Sequence, residues 1–169
     1  MNLRPLENVD APFMLEWMHD ENIVKNLQSN FLEKTINDCN KFITDSKKTD
    51  NMFNLAIVDD MNEYMGTVSL KHINQKDKSA EFAIVMRKKA LGKGYSEYGM
   101  REIIKIGFER FGLQKIFWCV SKDNKRAIRF YEKNEYNRIR PKELNIKDYT
   151  REQIDSYIWY CKNKYYDNE

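Results

Sequence analysis

Residues 79–112 read SAEFAIVMRKKALGKGYSEYGMREIIKIGFERFG, and this stretch decides the fold. Its first part, Ser79 to Met86, is an apolar run typical of a strand. After Gly92-Lys93-Gly94 the apolar residues recur at helical spacing, and the helix that they predict ends at Gly112. Its apolar positions are Met100, Ile103, Ile104, Phe108 and Phe111. The stretch therefore predicts a strand joined to a long helix by a glycine turn.

This glycine turn is a candidate anion site. At the start of a helix the backbone N–H groups are free and the helix dipole is positive, and glycine lets a phosphate come close to the backbone. Counting excludes two common phosphate motifs. G-x-G-x-x-G requires glycine where Glu97 stands, and a P-loop requires Ser or Thr where Gly94 follows Lys93. Spacing alone also fits a flexible turn without a ligand.

Further strands and helices are predicted on either side of this stretch. Asp10, with Pro12 in the first turn, is predicted to cap a first helix, and Thr35 with Asp38 begins a second. The predicted order is βααβββαβαββ, which is an α/β (α+β) fold with a mixed, mostly antiparallel sheet of about seven strands and helices on both faces. The remaining predicted elements are strands over 2–6, 52–58, 64–72, 115–120, 135–139 and 157–162 and a helix over 124–133.

The composition is that of an ordinary soluble domain. The 169 residues fit a single domain over 1–169, and a hydrophobic fraction of 41% is too high for a disordered chain. No apolar run approaches the roughly 18 residues of a membrane span, so no membrane partner is expected. A net charge of +3 is too small for a dedicated nucleic-acid binder. Three separated cysteines and no signal-peptide pattern indicate free thiols and a cytoplasmic location.

Two motifs carry a resemblance to a known family. Residues 91–96, LGKGYS, resemble the pyrophosphate loop of the GNAT superfamily of N-acetyltransferases, [Q/R]-x-x-G-x-[G/A], with Gly94 at the fixed glycine. Residues 124–133, NKRAIRFYEK, are similar to its second motif, N-x-x-A-[IL]-x-x-Y-E-K. The opening helix looks like the bacterial branch of ribosomal-protein-alanine and amino-sugar acetyltransferases. Leu91, Ser96 and Glu135 depart from the usual pattern.

The resemblance implies that acetyl-CoA is the cosubstrate. The strand over 79–86 would separate from the strand over 115–120 and leave a V-shaped slot for the pantetheine arm, with the Val85 N–H as the expected oxyanion donor. No metal is expected, because no His/Cys/Asp cluster has ligand spacing. The expected coenzyme-binding residues are Ile84, Val85, Met86, Leu91, Gly92, Lys93, Gly94, Tyr95, Ser96 and Asn124.

Two residues are candidates for acid–base catalysis. Glu81, a lone carboxylate in an apolar strand segment, is the candidate base, although it also fits a solvent-facing position of an alternating strand. Tyr131 is the candidate acid that protonates the leaving thiolate, and its alternative role is helix packing. Asn124 also fits an ordinary N-cap.

The acceptor is a primary amine whose identity stays open. Trp17, His19 and the polar loop over 140–156 are expected at the mouth of the slot. They favour a small molecule such as an amino sugar slightly over a protein N-terminus. A polyamine is a less favoured acceptor, because few acidic residues are near. A different class is a non-catalytic acyl-CoA-binding module. The aromatic last strand packs either in a core or in the interface of a homodimer. The run Arg87-Lys88-Lys89 either forms a solvated turn or attracts the 3′-phosphate of the coenzyme.

Overall fold

The computed structural model describes residues 1–27, 29–143, 146 and 149–165, so part of the predicted loop over 140–156 lies outside the described residues. The strands are β1 Asn2–Pro5, β2 Phe53–Val58, β3 Tyr64–Asn74, β4 Ser79–Met86, β5 Lys115–Ser121, β6 Asn137–Ile139 and β7 Tyr157–Asn163. The helices are α1 Ala11–Met18, α2 Glu21–Val24, α3 Ile36–Ser46, α4 Tyr95–Glu109, α5 Lys125–Lys133 and α6 Arg151–Ser156.

The strands form one sheet in the order β1-β2-β3-β4-β5-β7-β6. Every neighbouring pair is antiparallel except β4 and β5, which are parallel. This confirms the predicted mixed, mostly antiparallel sheet. The predicted element order was wrong in lacking α2 and α6. Both helices are too short to show an apolar period, and their signal is a cap, at Asp20 and at Thr150.

Helices cover both faces of the sheet. Alternate residues of β2 point to opposite faces, and Leu55 and Ile57 pack in the core cluster that contains α4, whereas Ala56 and Val58 pack with α1 and α3. In this article the first side is the α4 face and the second is the α1 face. The slot and its flanking groups lie between these two layers.

Asp10 is the N-cap residue of α1, as predicted, but its side chain does not bond to the helix, whereas the capping box at Thr35 is confirmed. Asp10 precedes α1, but its carboxylate accepts the backbone N–H of Glu7 at 2.9 Å and pairs with Arg4 at 2.8 Å, so it stabilises the turn before the helix. Thr35 and Asp38 form the predicted capping box of α3. Here each side chain accepts the other residue's backbone N–H, which fixes where the helix begins.

Candidate active site

The parallel strands β4 and β5 separate after a short paired stretch. They pair only from Ser79 with Lys115 to Glu81 with Phe117. From Phe82 to Met86, β4 has no partner strand on this side within the described part of the chain, although β3 pairs with it as far as Met86 on the other. The result is a V-shaped slot with Glu81 at its vertex, and an exposed strand edge of this kind can pair with an extended ligand.

The glycine turn lies between β4 and α4. Gly92 and Gly94 have φ of 78° and 84°, a left-handed conformation that favours glycine, and Gly94 is the N-cap of α4. None of the backbone N–H groups from Gly92 to Glu97 donates a hydrogen bond to another described residue, and the first helical bond is from Tyr98 N to Gly94 O at 3.0 Å. These donors and the start of α4 form a cradle suited to a pyrophosphate.

The side chains around the turn explain one departure from the family pattern. Leu91, where Gln or Arg is usual, packs against the core cluster on the α4 face, as does Tyr95. A cation that the sequence motifs did not single out lies nearby, since Arg126 Nη2 is 4.0 Å from the position of a Cβ built on Gly92. Lys93 is exposed, and Ser96 is partly buried. The cradle is therefore made of backbone with cationic side chains beside it.

Glu81 does not face solvent. The residue is 3% exposed, and its Oε1 accepts a hydrogen bond from the Tyr149 hydroxyl and lies 3.3 Å from Lys71 Nζ. Its Oε2 lies 3.5 Å from His72 Nε2 and accepts no hydrogen bond from a described residue. The carboxylate is therefore held by one oxygen, while the other can accept a further proton donor.

A bulge in β3 brings two consecutive side chains to this carboxylate. Successive residues of a regular strand point to opposite faces, yet Lys71 and His72 both approach Glu81. The register with β4 shifts between Lys71 and Asn74, and His72 has φ of 51°. Sequence analysis missed both of these residues and Tyr149, because a bulge and a loop position leave no periodic signal.

Tyr131 lies on α5, in an aromatic cluster on the α4 face. Its ring centroid is 5.5 Å from that of Trp118 and 5.1 Å from that of Tyr160. Burial raises the pKa of the Tyr131 phenol above its usual value. Glu81 alternates along β4 with Ala80 and Phe82, which belong to this cluster, so its side chain points to the opposite face. The two candidate catalytic groups thus flank the slot from opposite sides and do not contact each other.

Asn124 is the N-cap of α5. Its Oδ1 accepts the backbone N–H of Ala127 at 3.1 Å, which confirms the capping role. Its contact with the coenzyme stays a prediction, as do the contacts of the other residues around the slot.

The two residues predicted to bind the acceptor lie on and after α1. Trp17 is buried on the α1 face and its Nε1 donates to the Tyr64 hydroxyl at 3.2 Å, so its polar atom is engaged within the protein. His19 is exposed, with Nε2 2.9 Å from the Lys34 carbonyl. Substrate binding by either residue stays a prediction.

The expectation for Arg87 was wrong. This side chain is not solvated, because only 5% of the residue is exposed and its guanidinium forms a bidentate pair with Glu16 at 3.0 and 2.6 Å. It also donates to Glu63 at 2.5 Å. A guanidinium held by two carboxylates is not available to a coenzyme phosphate.

Residues 1–137 match the model of a family described as Acetyltransferase (GNAT) domain. The chain belongs to the GNAT acetyltransferases. It is therefore an acyltransferase that uses acetyl-CoA as its cosubstrate. The fit is visible in this chain, since the donors from Gly92 to Glu97 suit the pyrophosphate and the open edge of β4 suits the pantetheine arm.

Similar proteins include spermidine N(1)-acetyltransferases. The one from Vibrio cholerae is 27% identical over 139 residues, which cover 78% of this chain and 76% of the relative. The one from Escherichia coli K12 is 34% identical over 71 residues, covering 42% of this chain and 38% of the relative.

Solved structures agree with the fold. The Vibrio cholerae spermidine N-acetyltransferase in complex with CoA and spermine superposes with a TM-score of 0.79 at 20% identity, over 96% of this chain and 94% of that one. A dodecameric structure of that enzyme gives a TM-score of 0.71 at 20% identity, with 96% and 92% of the chains covered.

No group of three or more His, Cys, Asp or Glu side chains within 1–27, 29–143, 146 and 149–165 is placed to hold a metal ion. None of the helices described in this fold is long and apolar enough to cross a membrane. Cys39 and Cys161 are buried, and Cys119 is partly buried.

Proposed function

We propose that this GNAT enzyme acetylates a primary amine of a small, linear polyamine, with Glu81 as the base and Tyr131 as the acid. The observation that carries the chemistry is the position of Glu81, a buried carboxylate at the vertex of the slot with one oxygen already held and the other without a hydrogen bond among the described residues. The polyamine assignment is supported by the relatives, which are spermidine N(1)-acetyltransferases.

The reaction requires an acid and a base at separate points. The ammonium must lose a proton before its nitrogen can attack the thioester carbon, and in this proposal Glu81 Oε2 accepts it. The carbonyl oxygen becomes an oxyanion, for which the backbone N–H near Val85 is the expected donor. When the C–S bond breaks, the thiolate takes a proton from Tyr131, and the second proton that the nitrogen gives up as the amide forms is balanced by reprotonation of Tyr131 from solvent. Because burial raises the pKa of this phenol, it stays protonated throughout the physiological pH range and is in the form that an acid requires.

Two of the acidic residues near α1 are engaged within the protein. Glu16 pairs with Arg87, and Asp20 caps α2 by accepting the Asn22 backbone N–H at 2.9 Å. In this proposal the reacting amine is recognised by Glu81. The expected amino sugar and protein N-terminus are the alternatives that the same assay compares.

The experiment follows release of free thiol from acetyl-CoA with spermidine, glucosamine and a peptide with an N-terminal alanine. Turnover is expected with spermidine at a kcat/KM at least tenfold above the other two acceptors. A preference of that size for glucosamine or for the peptide would overturn the polyamine assignment while leaving the acetyltransferase assignment intact.

The test of the base is Glu81→Gln, which keeps the size of the side chain but cannot take a proton. General-base catalysis is typically worth about 10²- to 10⁴-fold, so kcat/KM should fall by that order, most strongly at low pH where less amine is neutral. Glu109→Gln, an exposed glutamate on α4, is the matched control and should keep the wild-type rate. A Glu81→Gln enzyme with its full rate from about pH 6 to 9 would remove Glu81 from the mechanism.

Two further expectations stay predictions for this chain, namely that it forms a homodimer and that it acts in the cytoplasm. Sedimentation velocity of the purified protein measures the first, and cell fractionation the second.

A further inference from the structure

The buried carboxylate of Glu81 has an exposed imidazole beside it. The side chain of Glu81 is 4% exposed and that of His72 is 43% exposed, and Glu81 Oε2 and His72 Nε2 are 3.5 Å apart. We propose that His72 carries the proton of the acceptor amine from Glu81 to solvent in each catalytic cycle. This inference rests on the proposed role of Glu81 as the base.

The backbone around His72 is unusual in a way that serves this contact. A regular strand would point Lys71 and His72 to opposite faces, and the bulge in β3 turns both towards one carboxylate. His72 adopts φ of 51°, which is uncommon for a residue other than glycine. Sparsely populated backbone conformations are energetically unfavourable and cluster at functional sites. The strain at His72 is offset if the imidazole is required at Glu81.

The stoichiometry of the reaction requires a path for one proton. An ammonium ion and a thioester give an amide and a thiol, so each turnover with a protonated amine releases one proton to solvent. Glu81 receives it at a site with almost no exposure to water. A buried base that cannot pass its proton on would be inactive in the next cycle.

The other groups that face the carboxylate are unsuited to remove this proton. Lys71 carries an ammonium without an acceptor lone pair, and it lies beside Oε1. The Tyr149 hydroxyl already donates to Oε1, and it accepts a weak bond from Cys119 Sγ at 3.8 Å. His72 approaches the opposite oxygen, Oε2. An imidazole has one nitrogen that accepts a proton and another that donates one, so it can pass a proton on.

The relay consists of two transfers. The amine N–H bond breaks as its proton binds Glu81 Oε2, and the protonated carboxyl then passes that proton to Nε2 of neutral His72. The imidazolium then releases its Nδ1 proton to water. The neutral ring that remains carries its hydrogen on Nε2, and ring rotation or proton exchange with water makes Nε2 an acceptor again. The separation of 3.5 Å exceeds that of a hydrogen bond, but such catalytic contacts are often long before the substrate binds.

Chemical rescue distinguishes a relay from a structural role. His72→Gly opens space beside Glu81 and removes the backbone strain, because glycine adopts positive φ readily. In a weakly buffered assay its turnover should fall at least tenfold, and added imidazole should restore the rate in proportion to its concentration. His72→Asn, which also tolerates this backbone conformation, is the matched variant with a polar side chain and should be equally slow without being rescued.

The outcomes separate this inference from the proposed base. Full turnover in His72→Asn at low buffer concentration, or a slow His72→Gly that imidazole does not rescue, would overturn the relay. If Glu81→Gln is slow while both His72 variants are fast, only the relay fails. If Glu81→Gln is fast, Glu81 is not the base and the relay fails with it. Acetyl-CoA affinity and melting temperature should match the wild type in both His72 variants, and a variant that melts early is replaced by the other in the comparison.

Discussion

At the scale of single residues, Tyr131 has surroundings unlike those of a surface tyrosine. It is packed between Trp118 and Tyr160 on the α4 face, and the same burial that raises its pKa also fixes its ring. A phenol with a raised pKa is a weak acid in the resting enzyme, and the coenzyme thiolate, with a usual pKa of about 8.5, is a weaker base than the phenolate. Proton transfer between them is therefore unfavourable by itself and has to be coupled to C–S bond breaking and amide formation. The proposed role therefore predicts sensitivity to the leaving group.

Tyr131→Phe deletes one oxygen and little packing volume, so the fold should be kept. We expect turnover to fall by about 10²- to 10⁴-fold with little change in coenzyme affinity, since acid catalysis is typically worth that much. An acetyl donor with a less basic thiol should partly restore the rate. Tyr136→Phe is the control, because its ring lies in the same cluster, 6.2 Å from that of Tyr131. Equal losses with every donor, or a loss of binding, would show that Tyr131 only holds α5 or the coenzyme in place.

At the scale of elements, the start of α4 is expected to provide much of the coenzyme affinity. A Cβ built on Gly94 would meet no protein atom closer than Met1 Cε at 3.7 Å. The space beside the turn is therefore open to the expected ligand. Gly94→Ala should weaken acetyl-CoA binding at least tenfold, which is about 1.4 kcal/mol, in isothermal titration calorimetry.

The control for backbone strain is Gly112→Ala. Gly112 also has positive φ, at 64°, and nothing lies within 4 Å of its added Cβ. Both substitutions strain the backbone and should lower the melting temperature, but only Gly94→Ala should weaken binding. Wild-type affinity in Gly94→Ala would place the pyrophosphate elsewhere.

Elements with a long apolar period could be predicted from the sequence, and those fixed by contacts could not. The period of Met100, Ile103 and Ile104 predicts α4 because all three are buried against the sheet. The bulge at His72 depends on the register of β3 with β4, a relation between distant residues that no local pattern carries. The start of α6 is equally hard to predict, because only its capping box marks it in the sequence.

The site shows the same division. The backbone cradle follows from glycines at a helix start, whereas the environment of Glu81 depends on Lys71, His72 and Tyr149 arriving from other parts of the chain. The roles of Glu81 and Tyr131 stay predictions until their variants are measured.

At the scale of the whole molecule, Arg87 joins α1 to the sheet. It follows β4, its guanidinium lies 4.4 Å from the ring centroid of Phe13 on α1, and it binds Glu16 of α1 and Glu63 before β3. The contacts of Arg87 with Phe13 and Glu16 hold α1 against the end of β4, a few residues before the glycine turn. The predicted solvated turn would have left α1 without this attachment.

Arg87→Met should therefore destabilise the whole domain. It keeps an apolar stem over Phe13 but leaves Glu16 and Glu63 without the guanidinium. Because both carboxylates are partly exposed and can hydrate, we expect a loss of about 1 kcal/mol in the free energy of unfolding by urea at pH 7, which is at the low end of the cost of an unpaired partner. Lys88→Met, at the exposed neighbouring residue, is the control and should have little effect.

The pH dependence of unfolding gives a second measure of the same contact. Hydrogen bonds from Lys89 and Arg87 lower the pKa of Glu63 in the folded protein, so its contribution to stability is present above its unfolded pKa of about 4.3 and is lost as the pH falls through the folded pKa. Wild-type stability should therefore decrease from about pH 5 towards pH 3, and the decrease should be smaller in Arg87→Met because one of the two cations is gone. The difference between the two proteins should shrink as the carboxylates become protonated. An equal difference at pH 7 and at about pH 3.5, on either side of that pKa, would show that the contribution of Arg87 to stability does not depend on the charges of Glu16 and Glu63.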